Sequence, residues 1–188
     1  MKKKVLIIDN NDSFTYNLVQ SFKYIDSIPS VININKIDNF KFDTFHNIVL
    51  SPGPGLPDEN PNLIKFILNN KDNKKILGVC LGLQAITIAF GGYLINLDKP
   101  RHGESTKLIL KEESKLYLGL DDIEVGLYHS WAANPDNFPA ELIIDAVDSK
   151  NIIMSFHHSK YDIMAVQYHP ESIITKKGLE ILSNWLKS

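Results

Sequence analysis

Three short apolar runs constrain the fold of this chain. Val5-Leu6-Ile7-Ile8, Asn47-Ile48-Val49-Leu50 and Lys75-Ile76-Leu77-Gly78-Val79 are almost wholly apolar, with no alternation of polar and apolar positions. A strand of that pattern has to be covered on both faces, which is the condition of a parallel sheet rather than of a solvent-facing antiparallel one. Helical patterns separate the runs. From Ser13 onward Phe14, Leu18, Phe22 and Ile25 fall close to one stripe, with Asp12 or Ser13 as the N-cap and Pro29 as the stop. Further helices are expected over 61–69 and 82–90, the latter stopped by Gly91-Gly92, and a further strand over 31–34.

The second half reads as richer in strands, at 93–96, 106–110, 125–128, 142–147, 151–156 and 164–168, several close enough in sequence to pair antiparallel. A last helix over 175–186 carries Leu179, Leu182 and Leu186 on one side with Trp185 beside them. The expected class is α/β: a mainly parallel open sheet, helices on both faces and an antiparallel extension, in one domain over residues 1–188.

Composition narrows the function classes. Twenty Lys+Arg stand against 22 Asp+Glu for a formal net charge of -2. The one arginine is Arg101 and the lysines are scattered, so no nucleic-acid or anionic-lipid surface is expected. No apolar run approaches the ~20 residues of a membrane span. Met1-Lys2-Lys3-Lys4 leads into too short an apolar stretch for a signal-peptide core, and a cytoplasmic enzyme-sized domain is expected. A single cysteine, Cys80, rules out an internal disulfide or a cysteine-rich metal site. No His/Asp/Glu set has metal-ligand spacing, and GxGxxG and Walker lysine motifs are lacking, so neither metal nor nucleotide cofactor is expected.

The segment Gly78-Val79-Cys80-Leu81-Gly82-Leu83-Gln84 carries the chemistry. A strand ends, a cysteine stands at the corner and a helix begins at once, with a glycine two positions to either side. A lone cysteine at a strand end is more often a small buried hydrophobe. The flanking glycines and the switch from strand to helix favour a nucleophile elbow. At such a corner the helix N-terminus favours a thiolate, and the N–H of Leu81 is placed for a developing oxyanion.

His169-Pro170-Glu171 supplies a base. Pro170 biases His169 towards an extended backbone, where His169 and Glu171 share a face. The carboxylate can then hold one ring nitrogen and leave the other for the thiol. Alone, His-Pro-Glu reads better as a solvated turn; with Cys80 it completes a nucleophile, base and orienter. His46, His157 and His158 read as surface or packing residues, and His102 and His129 as loop residues. Ser51-Pro52-Gly53-Pro54-Gly55, after the third run, is a stiff loop at the sheet edge where ligands bind, and Gly53 N–H is a candidate second oxyanion donor.

Together these pieces resemble the class I (triad) glutamine amidotransferases. The opening Asp9-Asn10-Asn11-Asp12-Ser13-Phe14-Thr15-Tyr16-Asn17 is similar to the branch that serves anthranilate synthase and aminodeoxychorismate synthase. The resemblance implies hydrolysis of L-glutamine, with ammonia delivered to a separate chorismate-using synthase subunit. It implies Cys80, His169 and Glu171 as the catalytic triad and the amides of Gly53 and Leu81 as the oxyanion hole. Gly53, Pro54, Gly55, Gln84, Ser130 and Trp131 would hold glutamine, without a cofactor in this subunit. Two positions depart from the pattern: Trp131 stands where the family commonly has leucine, and Glu104 where it has lysine. The competing readings are a glutaminase for guanylate or carbamoyl phosphate synthesis, a stand-alone γ-glutamyl hydrolase, and a non-catalytic subunit of the same fold.

Overall fold

The computed structural model describes residues 2–188. Its strands are β1 (Lys3–Asp9), β2 (Ser27–Asn33), β3 (Asn47–Leu50), β4 (Lys75–Val79), β5 (Leu94–Lys107), β6 (Ile109–Leu110), β7 (Glu124–Ala133), β8 (Leu142–Val147), β9 (Ile153–His158) and β10 (Ile163–Val166). The helices are α1 (Thr15–Tyr24), α2 (Pro61–Asn70), α3 (Leu81–Ala89) and α4 (Gly178–Lys187). Eight strands form one sheet in the order β2-β1-β3-β4-β10-β9-β8-β6. From β2 to β10 the neighbours are parallel, and β9, β8 and β6 extend the sheet antiparallel.

The unbroken apolar runs are explained by what covers them. Successive strand residues point to opposite faces. Val5, Ile7, Val49, Leu77 and Val79 pack with Leu18, Val19 and Phe22 of α1 and Ile181, Leu182 and Trp185 of α4. Leu6, Ile8, Ile48, Leu50 and Ile76 pack with Leu63, Phe66 and Ile67 of α2 and Leu83 and Ile86 of α3. Each such side chain, fully buried, contributes about 1.5–3 kcal/mol of transfer free energy.

Three expectations are corrected. Pro29 does not end a helix: α1 stops at Tyr24, Asp26 turns the chain at φ 62°, and Pro29 lies within β2 opposite Val5. Because β2 is the sheet edge, a residue without an N–H is tolerated there. The cap of α1 falls on Phe14, and the acidic residues before it act through the backbone. Asp12 accepts from the Phe14 N–H at 2.7 Å, and Asp9 accepts from the Asn11 and Asp12 N–H groups and the Thr15 hydroxyl.

The third correction concerns the segments around residues 93–110 and 125–131. The strands expected at 93–96 and at 106 are the two ends of β5, which pairs antiparallel with β7 in a separate two-stranded ribbon. Register shifts between Asn96 and Arg101 and between His102 and Glu104, with Gly103 at φ 72°, keep the pair together across irregular sequence. His102 and His129 therefore sit on strands, not loops.

The ribbon is tied to the main sheet by the one arginine. Arg101 is buried and its guanidinium pairs with the fully buried Asp148, whose other oxygen accepts from the Lys150 and Ile152 N–H groups at 2.9 Å. Glu104 reaches Arg101 Nε at 3.2 Å, so an acidic residue suits a position where a lysine would face the guanidinium. Breaking such a buried pair costs about 3–5 kcal/mol. Nearby, His129 Nδ1–H donates to the Trp131 carbonyl at 2.9 Å. Burial pushes the His129 pKa down to about 4 against that bond, and the neighbouring Arg101 and His169 act in the same direction as burial.

Helix α3 starts directly on the sheet. A Cβ on Gly82 would lie 2.6 Å from the Leu50 carbonyl oxygen, and one on Gly78 would lie 2.6 Å from the Gly82 carbonyl carbon. Gly82→Ala is therefore expected to cost about 2 kcal/mol and to lower the melting temperature by roughly 4–8 °C. An unchanged melt would mean that α3 does not approach β3 this closely. A second expectation concerns acid. His129 is neutral in the fold but protonates when unfolded, so its stabilising contribution is present above about pH 6.5 and is lost as pH falls towards about 4. That loss amounts to roughly 3 kcal/mol. His129→Gln can still donate to Trp131 but does not titrate, so denaturant titrations at pH 7 and 4.5 should differ less for it than for the wild type. Equal differences would overturn this assignment.

Candidate active site

The corner between β4 and α3 is held in a conformation that side chains rarely adopt. Cys80 has φ 53° and ψ -101°, a strain of order 1–3 kcal/mol that persists only where the surroundings impose it. Here both sides are fixed: the Cys80 N–H donates to the Val166 carbonyl of β10 at 2.8 Å, and its carbonyl accepts from Gln84 N–H at 3.1 Å. The side chain is buried at the N-terminus of α3, and the Leu81 N–H in the first turn lacks an intrahelical acceptor.

β10 delivers the base beside it. Beyond Val166 the chain runs through Gln167 and Tyr168 to His169, whose N–H donates to Gly126 of β7 at 3.0 Å. His169 Nδ1 lies 2.8 Å from Glu171 Oε1, and the two side chains are 3% and 0% exposed. With Nδ1–H directed at the carboxylate, Nε2 remains for the sulfur, and it makes no hydrogen bond within geometric limits. Burial disfavours an imidazolium here. The Cys80 sulfur and the Glu171 carboxylate outweigh it and hold the His169 pKa well above the usual histidine value.

Two aromatic rings fix the imidazole. Phe14 and Tyr128 meet His169 edge-on at 5.3 and 5.0 Å between centroids and stand 5.1 Å from each other. Tyr128 also hydrogen-bonds Ser172 at 3.1 Å. The sequence places Phe14 in a helical stripe and in the Asp9–Asn17 opening, and Tyr128 in a strand, but assigns neither ring a place against the imidazole.

The Gly-Pro loop closes the other flank. Ser51 accepts from the Asn10 N–H at 2.9 Å through its hydroxyl, and from the Asn10 side-chain amide at 2.8 Å through its carbonyl. A Cβ on Gly53 would stand 2.5 Å from Leu81 Cδ2 and 2.8 Å from Asn10 Cβ, so only glycine lets the loop lie against the elbow. Pro54 and Gly55 lie further out and are exposed.

Gln84 is buried, and its amide nitrogen donates to the Trp131 carbonyl at 2.9 Å and to Gln167 Oε1 at 3.4 Å. Gln167, also buried, directs its amide nitrogen at Cys80 Sγ at 3.6 Å. Ser130 and Trp131 are half-buried on β7, where a loop was expected. The structure thus gathers Cys80, Leu81, Gly53, Gln84, Trp131, His169 and Glu171, and adds Gln167, which the sequence offered only as a strand residue. His157 and His158 stand apart in other roles. His157 pairs with Asp145 at 2.6 Å, and His158 Nδ1 accepts from the Lys160 and Tyr161 N–H groups. Among the described residues no group of three or more His, Cys, Asp or Glu could hold a metal ion, and no helix is long and apolar enough to cross a membrane.

A buried sulfur, an imidazole with one nitrogen open towards it and a carboxylate on the other nitrogen form the set required for attack on an acyl carbon. Comparison with known proteins agrees with that chemistry. The family model for glutamine amidotransferase class-I matches residues 6–188. Anthranilate synthase component 2 of Saccharolobus solfataricus is 38% identical, covering 96% of each chain. Aminodeoxychorismate synthase component 2 of Escherichia coli is 36% identical, covering 97% of this chain and 98% of its own. A glutamine amidotransferase structure from Thermotoga maritima, 14% identical, shares the fold with a TM-score of 0.77 over 100% of this chain and 97% of that one. With the triad spacing, the elbow and a match over nearly its whole length, this chain belongs to the class I glutamine amidotransferase family.

Proposed function

We propose that this chain is the glutaminase subunit of a two-component synthase that uses chorismate, hydrolysing L-glutamine and passing the ammonia to the partner subunit. The observation that carries the reading is the strained Cys80 corner, facing an imidazole whose far nitrogen is braced by a buried carboxylate. The branch is supported by the Asp9–Asn17 opening and by 36–38% identity to component 2 subunits over nearly the whole chain. That opening sets the reading apart from glutaminases for guanylate or carbamoyl phosphate synthesis. Whether anthranilate or aminodeoxychorismate is made rests with the partner. One domain suffices for the glutaminase half, and the cytoplasm suits it because a thiol nucleophile stays reduced there.

In this reading the Cys80 thiolate attacks the side-chain carboxamide carbon of glutamine, and a C–S bond forms. The carbonyl oxygen becomes an oxyanion that accepts from the Gly53 and Leu81 N–H groups. His169, as the imidazolium, gives its proton to the departing nitrogen; the C–N bond breaks and ammonia leaves a γ-glutamyl thioester. The now neutral His169 takes a proton from water, the resulting hydroxide attacks the thioester, the C–S bond breaks and glutamate departs. Glu171 holds the ring through both proton transfers. Gly53, Pro54, Gly55, Gln84 and the Ser130-Trp131 backbone hold the substrate, whose charged α-amino and α-carboxylate groups must be paired once they leave water. Every group in this scheme is supplied by the chain, and it calls for no cofactor.

In the assembled complex, Cys80→Ser is expected to abolish product formation from glutamine while synthesis from added ammonia continues. Persistence of glutamine-dependent synthesis would remove Cys80 from the role of nucleophile. Glu171→Gln keeps the shape but loses the charge that braces the imidazole, and glutamine turnover should fall by roughly 10²–10⁴. Glutamate release by the chain alone should be weak and rise when the partner is added. High turnover without any partner would favour a stand-alone hydrolase.

A further inference from the structure

We propose that Gln167 is a positioning residue that donates its side-chain N–H to the Cys80 sulfur, in an orientation dictated by the Trp131 carbonyl through Gln84. The inference rests on the reading of Cys80 as nucleophile and adds a group that the triad does not include.

The direction of the amide chain follows from its fixed end. The Trp131 carbonyl belongs to the backbone of β7 and can only accept. It receives His129 Nδ1–H and Gln84 Nε2–H, each at 2.9 Å. Gln84 must therefore present nitrogen, not oxygen, to Trp131, and a second hydrogen on that nitrogen meets Gln167 Oε1 at 3.4 Å. With its oxygen so used, Gln167 has only its nitrogen to turn to Cys80 Sγ, at 3.6 Å. Reversing the two amides would set oxygen against oxygen at Trp131 and a carbonyl against the sulfur. Gln167, Gln84 and Cys80 are 0%, 4% and 6% exposed, so water is poorly placed to relieve either clash.

The sulfur thus has a hydrogen-bond donor that stays put while His169 moves its proton between the leaving nitrogen and the attacking water. A donor on a charged acceptor is stronger than a neutral pair and favours the charged form. It favours the thiolate without taking part in proton transfer. The same chain of bonds links the sulfur to the strand segment Ser130-Trp131, so a displacement of that backbone reaches the nucleophile.

Because Cys80 is the only cysteine, alkylation of the whole chain by iodoacetamide reads this one sulfur, and its rate against pH reports the thiolate. In Gln167→Met, which keeps the volume but loses the donor, the midpoint should rise by about one pH unit. Gln167→Glu places a negative charge beside the sulfur and should raise it further. If the methionine variant does not fold, the isosteric glutamate variant carries the test alone. Gln84→Met frees Gln167 to reverse and should raise the midpoint by less than Gln167→Met does. A role limited to packing would scale the rate at every pH without moving the midpoint; that result, or a wild-type profile, overturns the proposal. Such a failure leaves the loss of glutamine-dependent synthesis in Cys80→Ser intact, whereas failure of the glutaminase reading removes that loss.

Discussion

The parallel pairing of β4 with β10 is the contact from which the site is built. Val79 stands opposite Val166, and the next backbone bond, from Cys80 N–H to the Val166 carbonyl, fixes the corner at the end of the ladder. A nucleophile and a base far apart in sequence become neighbours through sheet register alone. Shifting that register by one residue would turn the strand over and carry Gln167 and His169 away from the sulfur. The strain at Cys80 has the same origin: the strand below and the helix above are both anchored in the core, so the residue between them takes the remaining conformation.

What could be read from the sequence and what could not divide along the range of the interactions. The buried strands, the elbow and the His-Pro-Glu spacing are local patterns, and the structure follows them to within a few residues. Pro29 was misread because the rule that proline stops helices is local, while its tolerance in β2 comes from that strand lying at the sheet edge. The ribbon was broken into pieces because Pro100 and Gly103 look like loop residues, whereas pairing with β7 carries the strand across them. Gln167, Phe14 and Tyr128 escaped for a related reason. Each owes its role to a contact with a distant segment, which nearness in sequence to His169 (Gln167) or membership of the Asp9–Asn17 opening (Phe14) does not reveal.

The site also sets stability against chemistry. His169 and Glu171 are withdrawn from water, and at His169 the sulfur and the carboxylate outweigh the cost of that burial. Because the His169 pKa is raised in the fold, its stabilising share is present below the usual histidine range and fades as pH climbs through the raised value. His129, on β7, has the opposite sign. The two histidines therefore pull the stability profile in different directions on either side of neutrality. His169 is braced by Glu171 and the sulfur, whereas burial and Arg101 keep His129 neutral, so one ring carries a proton while the other remains a neutral donor to Trp131.

Topology explains why these groups meet at one edge. In a parallel sheet all strands end on the same side, so each strand can add one segment to a shared site. β1 adds Asn10 and leads to Phe14, β3 adds Gly53, β4 adds Cys80, and β10 adds Gln167, His169 and Glu171. The spatial order β1-β3-β4-β10 is also the order in which Asn10, Gly53, Cys80 and His169 succeed one another across the site. Strand β9 runs against β10 and ends on the other side, whereas β8, antiparallel to β9, again ends on the side of the site. Their place is to anchor Asp148 and so the ribbon, which brings Tyr128 and Trp131 in from the flank. The mixed sheet thus splits its work: the parallel half carries Cys80, His169 and Glu171, and the antiparallel half anchors, through Asp148, the separate ribbon that flanks them.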